Sequence, residues 1–304
     1  MRKHIIILGI LILVLLLSGC TDEPVTGLCS NIGLDLVNYN VYPLEKLYKG
    51  NMVTITFWLE NKGSSDANDV VVNFFDTPGF ELVSLECEDG KRDGSKCKID
   101  KISTNVISEK CLGEIKGIKV SLRAIGEEKN TVSFSVNYKY HGNSKLLFNV
   151  WEKESQNQHG NKQYTSTNGP VKVNINSEFL LKKIVDDATE TVTEWSEEGQ
   201  RFTLNIDAQN IGKYEKGVIE IEPKDFKVEF NYIKPMDGGN CDLTDGNPYK
   251  PKNPIEVPTK KPLTCDIEVE DIEQEWVLGG VEVNYDYNYE FIKKQEFKIL
   301  RNIE

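Results

Sequence analysis

Histidine is scarce in this chain, at three among 304 residues, and only His141 and His159 lie beyond the first twenty positions. A nucleophile activated by an imidazole base would have to use one of these two. Both sit in polar surroundings. His141 falls in His-Gly-Asn, which reads as a solvated hairpin turn between two strands, and His159 falls in a glutamine, asparagine and glycine stretch. His-Glu-x-x-His, Gly-x-Ser-x-Gly, Gly-x-x-x-x-Gly-Lys and Gly-x-Gly-x-x-Gly are all absent. The common signatures of zinc hydrolysis, serine acyl transfer and phosphate or dinucleotide binding are therefore missing. No C-x-x-C pair occurs, and among the six cysteines beyond Cys20 the shortest spacing, Cys87 to Cys97, weighs against zinc, so no metal is expected. Asn-x-Ser/Thr is absent too, so N-glycosylation is not expected. Helical periodicity is confined to Phe179 to Trp195, where Leu180, Ile184, Ala188, Val192 and Trp195 fall near one face. Val185, Thr191 and Thr193 are β-branched, and helix and strand both remain open there.

What is present begins with the leader. Arg2 and Lys3 form a charged start, Ile5 to Leu17 an apolar run, and Leu17-Ser18-Gly19-Cys20 follows. A helix over Ile5 to Leu17 would reach only about 20 Å, short of the ~30 Å hydrocarbon core, which argues against a membrane span. The tetrapeptide resembles the lipobox of secreted lipoproteins at all four positions. That resemblance implies cleavage after Gly19, lipid attachment at Cys20 and a place on the extracytoplasmic face of the cell membrane. Residues 1–19 contain Arg2 and Lys3 and no acid, so without them 34 basic residues face 48 acidic ones, a net charge of −14. Such a surface repels nucleic acid, which is excluded as a partner.

Beyond Cys20 lie Cys29, Cys87, Cys97, Cys111, Cys241 and Cys265, an even number in a chain routed to an oxidising exterior. The chain also repeats itself. Val-Asn-Tyr-Lys-Tyr at 136–140 returns as Val-Asn-Tyr-Asp-Tyr at 283–287, and two alternating strands each end in Asn-x-Gly. These are Val53, Ile55, Phe57 and Leu59 before Asn61-Lys62-Gly63, and Phe202, Leu204, Ile206 and Ala208 before Asn210-Ile211-Gly212. Cys87 to Cys111 and Cys241 to Cys265 span the same distance between those landmarks, which predicts both bridges and leaves Cys29 to Cys97. Four cysteines in the first half nevertheless allow three pairings.

Period-two alternation dominates elsewhere, as in Val132, Phe134, Val136, Tyr138 and Tyr140, with turn signals between such segments. The expected fold is all-β, with two tandem antiparallel β-sandwiches after the leader. The organisation reads as signal peptide 1–19, tether 20–29, first sandwich 30–151, linker 152–169 and second sandwich 170–304. Polarity and glycine mark the linker, and its length would let the two modules reorient unless an interface forms between them. Ile-Thr-Phe-Trp-Leu-Glu-Asn-Lys-Gly followed by Asp69-Val-Val-Val-Asn-Phe-Phe75 resembles the immunoglobulin-like modules called cell-adhesion-related (CARDB-like) domains of prokaryotic surface proteins, which implies that both sandwiches are immunoglobulin-like. Phe202 to Gly212 with Gly217-Val-Ile-Glu-Ile-Glu222 is similar. The resemblance covers about twenty-five residues per half. It implies an extracytoplasmic, non-catalytic module for display, spacing or adhesion.

Two groups of residues remain as candidates for chemistry. Glu86-Cys87-Glu88-Asp89-Gly90 and Asp237 to Gly246 offer carboxylates on turns, but neither fits the twelve-residue calcium loop, and Asp-Gly turn chemistry accounts for them. Tyr285, Tyr287, Tyr289 and Phe291 could form a recognition surface by stacking on sugars or anchoring a partner. Period two also places them on an inner face, where they would pack the core and leave Asn284, Asp286, Asn288 and Glu290 to solvent. The function expected is non-catalytic: a lipid-anchored binding, adhesion or envelope-assembly module with a protein or glycan partner and no cofactor. The alternatives are a solute-binding lipoprotein feeding a transporter, which calls for α/β lobes, and an extracytoplasmic hydrolase built on paired carboxylates.

Overall fold

Along Met52–Asn61, Val53, Ile55, Phe57, Leu59 and Asn61 are fully buried, and the residues between them face outward. This alternation recurs in Arg201–Asn210 and Ile115–Ala124 and makes each segment one surface of a two-layer core. A computed structural model describes residues 29–30, 32–44, 47–107, 110–126, 128–152, 162–177, 195–197, 199–214 and 220–300. The leader, Cys20, His159 and residues 179–194 of the window left open between helix and strand lie outside the described residues, and Trp195, at its end, begins a short strand. Among the described residues the only helix is a 3₁₀ turn at Pro223–Asp225, and no helix is long and apolar enough to cross a membrane. The chain is an all-β assembly of antiparallel sheets.

Two long strands, Glu128–Trp151 and Trp276–Leu300, form the spine. They pair antiparallel without a bulge from Glu128↔Ile299 to Trp151↔Trp276. Ala67–Asp76, Lys96–Ile102 and Lys91–Asp93 extend the sheet beside the first long strand, and Phe226–Asn231 extends it beside the second. A four-stranded sheet covers each end of this shared sheet. One is ordered Leu34–Tyr42, Met52–Asn61, Ile115–Ala124, Phe80–Cys87, and the other Val171–Ser177, Arg201–Asn210, Leu263–Val269, Ile233–Pro235. The order is the same in both, so the duplication read from short motifs extends to topology. Phe57 stacks on Phe134 at 4.8 Å in one half, and Phe202 meets Phe148 edge-on at 6.2 Å in the other.

The spine corrects the expected domain boundaries. Each long strand belongs to both halves, so neither 30–151 nor 170–304 holds a complete sandwich. Part of the expected linker is itself a strand, since Lys162–Ser166 pairs antiparallel with Ser144–Phe148. His141-Gly142-Asn143 is not a hairpin turn but lies inside the first long strand. Gly142 keeps its place because the Tyr285 ring occupies the space a Cβ would need.

The bridges are Cys29–Cys111, Cys87–Cys97 and Cys241–Cys265. In the second half Cys241 and Cys265 face each other as an isolated antiparallel bridge. In the first half neither Cys87–Cys111 nor Cys29–Cys97 forms. The residues between Cys87 and Cys111 are taken up by two hairpins, Lys91–Asp93 with Lys96–Ile102 and Thr104–Ile107 with Lys110–Gly113. The first returns Cys97 beside Cys87, joining the shared sheet to the covering one. The second carries Cys111 to Cys29.

Candidate functional site

The repeated pentapeptides supply a row of tyrosines at the middle of the spine. Tyr138 and Tyr140 on one long strand, and Tyr285, Tyr287 and Tyr289 on the other, all point inward and are at most 4% exposed, and Phe291 beside them is fully buried. Tyr285, Tyr287, Tyr289 and Phe291 are therefore core and not a recognition surface. Their placement has an electrostatic reason. The two covering sheets end against each other above this row, and backbone groups there have no ladder partner. The hydroxyls supply partners. Tyr138 accepts from Leu34 N–H at 3.3 Å; Tyr140 accepts from Ser65 N–H and donates to Asn168 C=O, both at 3.1 Å. Tyr285 donates to Val171 C=O at 3.1 Å and Tyr287 accepts from Val171 N–H at 3.4 Å, while Tyr289 reaches Tyr214 C=O at 3.4 Å. Burial pushes all five phenols up, Tyr289 to about 12 and Tyr138 and Tyr287 well beyond the usual value.

The Asn-x-Gly motifs belong to this seam. Asn61 Oδ1 accepts from Gly63 N–H at 3.2 Å, and Asn210 Oδ1 accepts from Gly212 N–H at 3.1 Å. A Cβ on Gly63 would collide with the Tyr140 hydroxyl, and one on Gly212 with the Tyr289 hydroxyl. Motif and tyrosine are thus two sides of one contact, made twice.

Beside the seam lies a buried ionic clamp without a sequence signature. Asp35, 4% exposed, accepts from Tyr214 Oη at 2.6 Å, Lys213 Nζ at 2.9 Å and Lys62 Nζ at 3.0 Å. Burial alone would raise the Asp35 pKa, but these three donors together hold it below the ordinary carboxylate range. The clamp joins the first half to the second, because Lys213 and Tyr214 follow Gly212.

The opposite face of the shared sheet carries the polar groups. His141 Nδ1 lies 2.8 Å from Asp286 Oδ1, its register partner, at the edge of a groove of about 320 Å³. Asn68, Lys139, Asp225 and Asn288 line the rest of it. Asp286 and Asn288 are exposed, as alternation requires, whereas Asn284 and Glu290 are half-buried. Asn143 bridges Glu282 and Asn284, both at 2.8 Å. The groove offers amides, carboxylates, an imidazole and an ammonium group, and its only hydroxyls, on Tyr140 and Tyr287, belong to the opposite face. This arrangement suits hydrogen bonding to a ligand and lacks the nucleophile that a His–Asp pair would activate.

Four of the acids in the two turn clusters are tied to donors of the chain itself. Glu88 accepts from Gly117 N–H at 2.7 Å, Asp89 pairs with Lys116 at 2.6 Å and Glu86 with Lys119 at 3.1 Å. Asp242 accepts from the Thr264 N–H at 2.9 Å and from its hydroxyl at 3.1 Å. Among the described residues no group of three or more His, Cys, Asp or Glu side chains is placed to hold a metal ion.

No protein-family model and no curated protein matches the chain. Among solved structures it is similar to a mutant of Salmonella alpha-2-macroglobulin, at 10% identity and TM-score 0.20 over 82% of this chain and 16% of that one. It is also similar to Escherichia coli alpha-2-macroglobulin activated by porcine elastase, at 11% identity and TM-score 0.16 over 84% of this chain and 22% of that one. A third is the C-terminal domain of the Streptococcus agalactiae AgI/II polypeptide BspA, at 11% identity and TM-score 0.15 over 83% of this chain and 93% of that one. The chain spans about a sixth to a fifth of the macroglobulins' length. Likenesses of this size assign no activity.

Proposed function

We propose that this chain is a lipid-anchored, extracytoplasmic protein that acts by contact, as an adhesion or envelope-assembly module, without bond chemistry. The observation that carries the reading is the spine. Two strands paired over their full length, roughly 80 Å at 3.4 Å per residue, make one stiff slab of the two halves. Stiffness of this kind serves presentation, since a surface held on a rigid support loses little conformational freedom when a partner binds. Three disulfides suit an oxidising exterior, and the lipobox supplies the anchor. A solute binder closes two lobes about a hinge, and here both long strands run unbroken through the place a hinge would occupy.

Fractionation of cells expressing the wild type and Cys20→Ala tests the anchor. The wild type is expected in the membrane fraction, resistant to salt and carrying acyl mass at Cys20, and the variant without acyl mass. Equal membrane retention with no acyl mass on the wild type would overturn it. Brief crosslinking in native membranes then tests the contact function, with a stoichiometric envelope protein or a retained glycan as the expected product.

A further inference from the structure

The two long strands are not protected equally. On the first, Ser144–Phe148 has its outer edge paired with Lys162–Ser166, and Asn149–Trp151 with the short parallel strand Trp195–Glu197. The second has the matching parallel cap, Leu47–Tyr48 beside Ile299 and Leu300. It lacks the antiparallel cover. The offset that carries Val136 onto Val283 carries Ser144–Phe148 onto Phe291–Gln295, and among the described residues no strand pairs with the outer edge between Asp286 and Lys298. The reason is covalent. In the second half the segment before Val171–Ser177 runs back along the spine. In the first half the segment before Leu34–Tyr42 is bound elsewhere, with Cys29 bridged to Cys111 and Ser30 N–H donating to Lys62 C=O.

We infer that this open edge pairs with the same edge of a second copy of the chain, joining two spines into one continuous antiparallel sheet. Charge selects this occupant. Along the solvent face of the edge run Ile292, Lys294, Glu296 and Lys298, with Lys294, Glu296 and Lys298 exposed. Pairing centred on Gln295 sets Lys294 opposite Glu296 of the partner subunit, Glu296 opposite Lys294 of the partner subunit, and Ile292 opposite Lys298 of the partner subunit. Opposite charges facing across antiparallel strands stabilise the pair, and the sequence is complementary to itself in that register, with the Glu296 carboxylate shared with Lys129 of its own chain, 2.8 Å away. Lysines alone would blunt an edge against association; alternated with glutamate, they choose a register instead. Exposed Tyr48, beside Leu300, extends the edge with apolar surface.

The test uses the full chain purified in mild detergent, with light scattering across a concentration series and carbodiimide coupling of a mixture of isotopically light and heavy chains. Carbodiimide condenses an amine with a carboxylate that touches it, releasing water to the reagent, so mixed-isotope Lys294–Glu296 links are expected. Lys294→Glu places like charges at both central pairs and is expected to weaken dimerisation about tenfold or more. The exchange Lys294→Glu with Glu296→Lys restores the pairs and is expected to recover affinity to within about threefold. Far-UV circular dichroism confirms folding of both variants. A single-chain mass up to about 100 µM, dimers unaffected by Lys294→Glu, or mixed links confined to other positions would each overturn the inference.

Discussion

Tyr140 and Tyr287 are register partners across the two long strands, their rings 5.8 Å apart, and the 147-residue offset of the repeat (283 minus 136) maps one onto the other. A local pseudo-twofold axis therefore passes between them. The tyrosine row and the covering sheets are arranged in pairs about that point, whereas the Asn-x-Gly contacts are offset, Gly63 meeting Tyr140 and Gly212 meeting Tyr289.

Tyr140→Phe should destabilise the protein by about 1–3 kcal/mol, because Ser65 N–H and Asn168 C=O lose their buried partner while the ring still fills its space. Urea unfolding with the disulfides intact measures it. A loss below about 0.3 kcal/mol would show that water replaces the hydroxyl.

Gly63→Ala should cost about 1–3 kcal/mol through collision with the Tyr140 hydroxyl. Combined with Tyr140→Phe, the loss should be smaller than the sum of the two single changes, since the second removes what the first strikes. Strict additivity in the double-mutant cycle would contradict the contact.

Asp35 should make stability depend on acid. Its folded pKa lies below its unfolded one, so its contribution is complete above the unfolded value of about 3.9 and disappears as pH falls through the folded value. Asp35→Asn should therefore be less stable than the wild type at neutral pH, with the gap closing below about pH 4. Unfolding free energies at several pH values test this, and a gap independent of pH would mean that charge plays no part in the clamp.

The seam tyrosines act at the other end of the scale. Their folded pKa values lie above the unfolded value, so their contribution is complete below about pH 10 and is lost as pH rises through the folded values. Tyrosinate absorbance should rise together with loss of far-UV dichroism. Ionisation of these phenols at their ordinary pH in a folded chain would contradict their burial.

Removing a bridge by paired Cys→Ala changes should cost most for Cys29–Cys111, less for Cys241–Cys265 and least for Cys87–Cys97, following sequence separations of 82, 24 and 10. The chain-entropy estimates are about 4.6, 3.5 and 2.8 kcal/mol. Non-reducing peptide maps check the pairing itself.

Strand alternation, the duplicated motifs and the inward row of tyrosines were legible in the sequence because each depends on neighbours two residues apart. The spine was not. Gly142 has every local mark of a turn, and what keeps it extended is its pairing with Tyr285, from the other end of the chain. The Asp35 clamp was hidden for the same reason, since its Tyr214 donor lies 179 positions away. The first-half bridges were misread because equal cysteine spacing holds two hairpins in one half and a direct strand contact in the other.

The entry point of the chain has its own consequence. Cys29 and Ser30 are fixed beside Lys62, where the first covering sheet ends above Tyr138, near the middle of the spine. A lipid at Cys20, as proposed, would tie the molecule at its waist, since the nine residues from Cys20 to Leu28 can span about 30 Å at most. Leashed at its midpoint in this way, a long body would lie broadside to the bilayer like a crossbar, with both tips within reach of the same membrane.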